Sequence, residues 1–504
     1  MDNFLQLTPA VPVKRSAIPV LRLPEFRQAL LDCAGDDGYV VHFFGYPEQE
    51  KLSILAVMRR DNRLLAARCQ VPEAYASLAA EDGKFQLFER ELAEQFGVHP
   101  LGHPWLKSVR YHPNWTGRED VFGNDYSKDI PGSYPYYQVQ GDEIHEVAVG
   151  PVHAGIIEPG HFRFQCMGEK VLHLEIQLGF QHRDAERLIV NSPARRAPFL
   201  LESVAGDTAV ANSVCHSQAM EALTGTVVNE RDKRIRTIAM ELERLANHTG
   251  DLGALAGDVA FAPVAAYFGR IRGEFLNLLM ALSGNRFGKG LVRPGRVLTT
   301  WNPAQVAGIL DKITELKPQI EEVSNLLFSA HTVLSRFDNC GIVSRDTAAA
   351  IGLVGFAGRA SGLDHDVRKA FPTEAYPSLS CPKPSCTGGD VFARAWIRHE
   401  EILHSLFCIQ KLLEKDPDPP DSGPGIYSGR PAADSVVVTL QEAWRGELSH
   451  AVLTGEDGRV IRYKIKDPSF HNWTGLALAM RNQGISDFPL NNKSFNLSYC
   501  GFDL

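Results

Sequence analysis

The stretch Gly150-Pro151-Val152-His153-Ala154-Gly155-Ile156-Ile157-Glu158-Pro159-Gly160-His161 decides how the chain is read. Its glycines and prolines interrupt helix and strand alike. Glu146–Val149 before it and His161–Gln165 after it have the composition of strands, so a loop between two strands opens a sheet. From about Arg183 to Ile351 the pattern changes. Ile235, Ile238, Leu242 and Leu245 recur at three- and four-residue intervals with Glu241, Arg244 and His248 on other faces, which predicts a helical bundle. After Asp434, Val436–Leu440 and Val460–Ile465 alternate like strands around a charged turn at Glu456–Arg459, and are expected to close the sheet begun near residue 146.

Upstream, Tyr39–Phe44 and Leu52–Met58 are β-like, and Phe85, Phe88, Leu92 and Phe96 follow helical spacing. Pro113, Gly117, Gly123, Pro131, Gly132 and Pro135 then break regular structure. The predicted fold class is α+β. A small α+β domain covers 1–113, a linker 114–140, and a mainly α-helical domain 141–504, whose small β-sheet forms with the carboxyl terminus.

A chain of 504 residues, 44% apolar and 22% charged, is globular and long enough for two or three domains. Its net charge of -8 excludes a general binder of phosphate backbones, so nucleic acid is not an expected partner. Residues 1–10 carry no cationic segment followed by an apolar run, so no signal peptide is expected. Asp258 and Pro263 break the apolar stretch Leu252–Gly269, and no direct membrane span is expected. The nine cysteines are scattered, which fits a reduced, cytoplasmic setting. Cys381 and Cys386 lack a matching second pair and read as free thiols rather than zinc ligands.

Three segments concentrate chemistry. The opening loop brings His153, Glu158 and His161 onto constrained backbone, suited to relaying protons or binding a polar headgroup, or to imidazoles that satisfy a hairpin's own carbonyls. Arg359, Asp364, His365, Asp366 and Arg368 lie within ten residues, as charges that pair, line an interior path or face solvent. Glu442-Ala443-Trp444-Arg445-Gly446-Glu447 sets a guanidinium between carboxylates beside a glycine turn. No phosphate-binding glycine loop or nucleophile elbow is found.

Taken in order, these segments resemble the large subunit of membrane-bound, complex I-related nickel-iron hydrogenases of the formate hydrogenlyase type, with its fused amino-terminal domain. Phe85–Glu91 and Phe96–Pro104 resemble the short peripheral subunit of that family. Gly150–His153, Glu158–Arg163, Gln181–Arg183, Glu241–Arg244, Arg359–Gly362, Asp366–Arg368 and Glu442–Gly446 are similar to the quinone-site subunit of complex I and its hydrogenase relatives. The resemblance implies an oxidoreductase subunit of an energy-converting complex, cytoplasmic and peripheral on the inner face of the cell membrane. Its implied partners are a small iron-sulfur subunit and integral membrane subunits. Iron-sulfur clusters would lie in those partners, with no cofactor in this chain and a quinone as a possible ligand.

The departures from the family are chemical. A nickel-iron site takes four thiolates from two C-x-x-C pairs. Here Ala205 and Thr208 stand at the first pair, Ser498 and Gly501 at the second, with Cys500 between them. Gly206 aligns with the quinone tyrosine of complex I, and the second loop histidine falls near Ile157. The resemblance then implies a member without the metal centre. His153, Glu158, His161, Asp366, Arg368 and Arg445 are its candidate catalytic residues, Gly206, Asp207, Thr208 and Ser498 its ligand-binding residues, and none a metal ligand. The alternative is a non-catalytic subunit that couples conformations. Asn492–Leu504 is expected to be buried near Ala205–Thr208, and Asp366, Arg368 and Arg445 to pair with one another.

Overall fold

The computed structural model describes residues 3–35, 38–48, 51–117, 119–133, 135–155, 157–299, 301–380, 386–415 and 429–504. Strands Leu5–Leu7, Arg63–Gln70, Lys51–Arg60 and Tyr39–Glu48 form an antiparallel sheet in that order. Along Lys51–Arg60, Ile54, Ala56 and Met58 pack with helices Leu23–Ala34 and Gln86–Phe96, whereas Leu55 and Val57 face a second sheet. Both faces are covered, which explains the nearly continuous apolar run in place of alternation. At Gly45 a Cβ would lie 2.8–2.9 Å from Phe96 and Leu92, so glycine lets the helix approach the strand.

The second sheet has the order Val460–Lys466, Gly446–Thr454, Ser435–Ala443, Val13–Lys14. This corrects the expectation that the tail closes the sheet near residue 146. The two edges of Ser435–Ala443 are taken by its hairpin partner and by Val13–Lys14, and Ile144–Val149 pairs with His161–Met167. Strands Ile144–Val149, His161–Met167 and Lys170–Gln177 instead make a separate three-stranded sheet. It packs through Phe162, Phe164 and Leu174 against Trp473, Phe488 and Tyr499. The α+β class holds, with sheets and helices segregated along the chain.

On its far side the second sheet lies against helix Ala209–Thr224, through Val437, Leu448 and Val452 against Cys215, Ala219 and Leu223. Helices Glu230–Asp258, Ala262–Ser283, Pro303–Ser329 and Val391–Lys415 form the bundle. Asn229 caps the first, accepting the Asp232 amide at 2.7 Å. Ile235, Ile238, Leu242 and Leu245 face the bundle core as their spacing predicts, yet Glu241, Arg244 and His248 are buried as well. That helix therefore has an interior polar face.

Buried charges join the layers. Lys464 on the second sheet reaches Glu91 at 2.7 Å and Glu186 at 2.9 Å, Arg462 pairs with Glu186 at 2.9 Å, and Arg110 pairs with Glu91. Burial alone would raise the carboxyls of Glu186, Glu241 and Glu447. Their cationic neighbours, Lys464 and Arg462, Arg244 and Arg368, and Lys466 and Arg59, outweigh it and hold each down to about 2. Because these folded values lie below the unfolded one, the pairs stabilise the protein above roughly pH 4.3 and that stability is lost as pH falls toward about 2, on the order of 1–3 kcal/mol per group. Thermal unfolding followed from pH 7 to pH 3 should show a steep fall below about pH 4.5, and a flat profile there would contradict these pairings.

Candidate functional site

The candidate site lies where three segments meet. Gly206, Asp207 and Thr208 precede helix Ala209–Thr224, and Trp444 and Arg445 make the tight turn between strands Ser435–Ala443 and Gly446–Thr454. The third segment is the carboxyl-terminal Asn496–Gly501. Gly446 sits at φ +137°, and a Cβ there would lie 2.6 Å from Gly355 Cα, so glycine allows the turn to press into the interior.

Arg445 grips Asp207 with two prongs, Nη1 to Oδ1 at 2.7 Å and Nη2 to Oδ2 at 2.8 Å, and donates from Nε to the Asn496 carbonyl at 2.6 Å. Its guanidinium stacks 3.8 Å from the centre of the Trp444 ring, and the Trp444 indole donates to Thr208 Oγ1 at 3.1 Å. Burial would raise the Asp207 carboxyl, but Arg445 holds it below the usual carboxylate range. Gly206 is exposed, and nothing among the described residues lies within 4 Å of where its Cβ would stand.

Arg183 ties the two halves together, donating to the carbonyls of Ser203 at 2.7 Å, Val204 at 3.0 Å and Cys500 at 3.3 Å. Of the segment Asn492–Leu504 expected to be buried, residues 497–504 are buried beside that loop, whereas Asn492, Lys493 and Asn496 are half-buried. Ser498 Oγ accepts the Gly501 amide at 2.9 Å and lies 3.5 Å from Cys500 Sγ. Burial, with the nearby charge of Glu158, pushes the Cys500 thiol up to about 12, so it stays protonated at neutral pH. Asp467 is buried, and its Oδ2 has no hydrogen-bond partner among the described residues.

The expected mutual pairing of Asp366, Arg368 and Arg445 is corrected. Arg368 does pair with Asp366, at 2.7 Å, but Arg445 belongs to Asp207. The two groups are ends of one chain, buried except near Asp207 and Asn496. Asn496, which accepts from Arg445, donates through its amide to Asp251 at 2.6 Å. Arg398 pairs with Asp251 at 2.6 Å and contacts His248 at 2.9 Å, and His248 meets Glu401 at 3.0 Å. Glu401 pairs with Arg359, which reaches Glu442 at 2.7 Å and Asp366 at 3.7 Å. The turn position of Arg445 directs its side chain toward the carboxyl terminus, whereas Glu442, three residues earlier on the strand, faces Arg359.

His153 and His161 stand apart from this chain. His153 Nε2 bonds the Gly160 carbonyl at 2.8 Å, and His161 Nδ1 approaches the Gly150 carbonyl at 3.3 Å, so both imidazoles brace their own hairpin. Of the opening loop, Glu158 is the member set against the carboxyl-terminal segment, through Cys500. Sequence reading missed Asp251, Arg398, Glu401 and Asp467. Arg394, Arg398, Glu401 and Ser405, spaced by three or four residues on helix Val391–Lys415, form the polar stripe that signals part of them. Cys381 lies outside the described residues, and Cys386 is a half-buried free thiol.

Residues 258–428 match the family model described as respiratory-chain NADH dehydrogenase, 49 Kd subunit. The carbon monoxide-induced hydrogenase of Rhodospirillum rubrum is 30% identical over 347 residues, covering 69% of this chain and 95% of that protein. Hydrogenase-4 component G of Escherichia coli (strain K12) is 28% identical over 413 residues, covering 80% of this chain and 71% of that protein. In a solved structure of the membrane-bound sulfane sulfur reductase, an archaeal respiratory membrane complex, one chain superposes with a TM-score of 0.67 at 24% identity, over 73% of this chain and 100% of that one. The chain belongs to the family of the respiratory-chain NADH dehydrogenase 49 Kd subunit. Its homologues are oxidoreductase subunits of complex I-like respiratory and hydrogenase complexes. No helix among the described residues is long and apolar enough to cross a membrane.

Proposed function

We propose that this chain is the cleft-bearing subunit of a complex I-like, energy-converting oxidoreductase that has no nickel-iron centre and receives a quinone-like or other polar ligand beside Gly206. The observation that carries this reading is the side-chain chemistry at four positions. Ala205 has no ligand atom, Thr208 Oγ1 is engaged by Trp444, Ser498 Oγ is engaged by the Gly501 amide, and Gly501 has no side chain. A Cβ at Gly501 would also lie 2.6 Å from Asp467 Oδ2. Four soft thiolates are what such a metal pair requires, and these residues do not fit it.

The same segments suit an uncharged polar headgroup. Open space at Gly206 adjoins Asp207 and Thr208, which follow it in the chain, with Arg445 holding Asp207 in place. A bound quinone would supply two-electron, two-proton redox chemistry. The chain's own part is to orient the headgroup and to hold the charge of Asp207 beside it. A small iron-sulfur subunit and integral membrane subunits would supply electrons and ion coupling, placing this chain on the inner face of the cell membrane.

The test uses the native complex. Elemental analysis after chelation should find no stoichiometric nickel, and a soluble quinone analogue should reoxidise the reduced iron-sulfur signal. Stoichiometric nickel overturns the first half and an unchanged signal the second. Gly206→Tyr is expected to change stability by less than about 0.5 kcal/mol, since the position is exposed and a Cβ there meets nothing within 4 Å, while altering the KM for the analogue several-fold. An unchanged KM would remove Gly206 from the ligand's path. The buried chain from Asp207 to Arg368 favours a second reading, a subunit that transmits conformational change without redox chemistry of its own. Absence of reoxidation together with loss of ion pumping in chain variants would select it.

A further inference from the structure

Away from the cleft, a cavity of about 1110 Å³ opens between the Ile189–Pro198 segment, helix Ala209–Thr224 and the end of the second sheet. Arg195, Arg293, Arg296, Arg430 and Arg459 line it, and among the described residues no carboxylate does. Five arginines without an acid lining one cavity is a strong local excess in a chain whose net charge is -8. Arg293 pairs with Glu202 and Arg459 with Asp457, outside the lining, but Arg195, Arg296 and Arg430 have no acidic partner among the described residues. Between them the walls are apolar, with Ile189, Ala194, Pro198, Met220 and Val460.

The floor is a polar pair that is itself buried. His216 Nδ1 lies 3.1 Å from Tyr463 Oη, and Tyr463 Oη lies 2.9 Å from His450 Nδ1. His450 Nε2 meets Asn212 Oδ1 at 3.2 Å, and the Asn212 amide donates to the Thr208 carbonyl at 2.8 Å. That last bond orients the amide and hence the whole array. Asn212 Oδ1 accepts from His450 Nε2–H, Tyr463 donates to His450 Nδ1, and His216 donates to Tyr463. His216 Nε2 is left as an acceptor with no partner among the described residues, on a side chain that lines the cavity and is 4% exposed. Burial keeps that imidazole neutral, with its pKa pushed down to about 4.

We propose that this cavity is a second ligand site, for an amphipathic phosphate: its phosphate oxygens meet the rim arginines, its body fills the apolar walls, and a hydroxyl or amine of that body donates to His216 Nε2. Arginine forks match phosphate geometry, and the volume suits one ligand of phospholipid or nucleotide size. The site is independent of the cleft at Gly206, so the outcome of the quinone experiment does not bear on it.

The test is calorimetric titration of the native complex with dihexanoyl phosphatidylglycerol and, separately, with ADP. Binding of one and not the other identifies the source of the phosphate. The double variant Arg195→Gln/Arg296→Gln should weaken binding by at least about tenfold through lost charge-assisted bonds. Ala194→Trp, at an exposed wall position, should weaken it by filling the space for the body while leaving the arginines in place. Circular dichroism checks that both variants fold as the parent does. The proposal is overturned if neither probe binds below about 1 mM, or if binding is the same in the parent and both variants.

Discussion

Arg359→Ala is expected to cost about 3–5 kcal/mol of stability, because it leaves buried Glu442 without a cation, while Asp366 and Glu401 keep Arg368 and Arg244. Arg359 is 3% exposed and pairs with Glu401, with Glu442 at 2.7 Å and with Asp366 at 3.7 Å, while donating to the His365 carbonyl at 2.8 Å. These carboxylates are buried, so removal of the guanidinium leaves each facing the others' charge at low dielectric. The variant's Glu442 carboxyl would then titrate above the unfolded value, since burial raises it and Arg359 no longer opposes that. Its deficit against the parent should therefore shrink as pH falls toward 5 and grow toward pH 8. Denaturant midpoints at the two pH values provide the measurement. A loss below about 1 kcal/mol, unchanged with pH, would mean that solvent reaches the group. Arg359→Lys should recover part of the loss, since a single ammonium cannot span Glu401 and Glu442 as the fork does.

Lys464→Met should have an effect of similar size, about 3 kcal/mol, for a different reason. Lys464 is the cation shared by Glu91 of the amino-terminal helix Gln86–Phe96 and Glu186 of helix Ala185–Asn191. Methionine fills the stem's volume but leaves two carboxylates facing each other, with Arg110 and Arg462 as their remaining counter-charges. Glu91→Gln in the same chain removes one of the two negative charges and should restore part of the stability. A double-mutant cycle on these two positions is expected to show coupling of at least about 1 kcal/mol. Additive losses would mean that Lys464 and Glu91 do not interact.

Strand and helix positions in this protein are largely legible because they depend on neighbours in sequence. The alternating Val436–Leu440 and the three- and four-residue spacing of Ile235 to Leu245 declare their structures locally. Strand Gly446–Thr454 escapes that reading. Glu447, Ser449 and His450 look solvated, yet all are buried, because Tyr39 meets Glu447 and His42 meets Ser449 across the two packed sheets. Polar residues in a strand covered on both faces carry no outward signature of burial when their partners lie about four hundred residues away in sequence.

The sequence by itself determined the α+β class, the glycine-bounded turn that presents Arg445, and the side chains at Ala205, Thr208, Ser498 and Gly501, since chemistry at a position needs no fold to be read. Only the tertiary structure decided that the tail builds its sheet with Val13–Lys14, and that Arg445 holds Asp207 rather than Asp366. It alone turned His153 and His161 back onto their own hairpin. A strand edge pairs with whichever segment the layers bring alongside, and a buried charge with whichever opposite charge shares its low-dielectric pocket. Both choices are made by packing across the whole chain, which local periodicity does not encode.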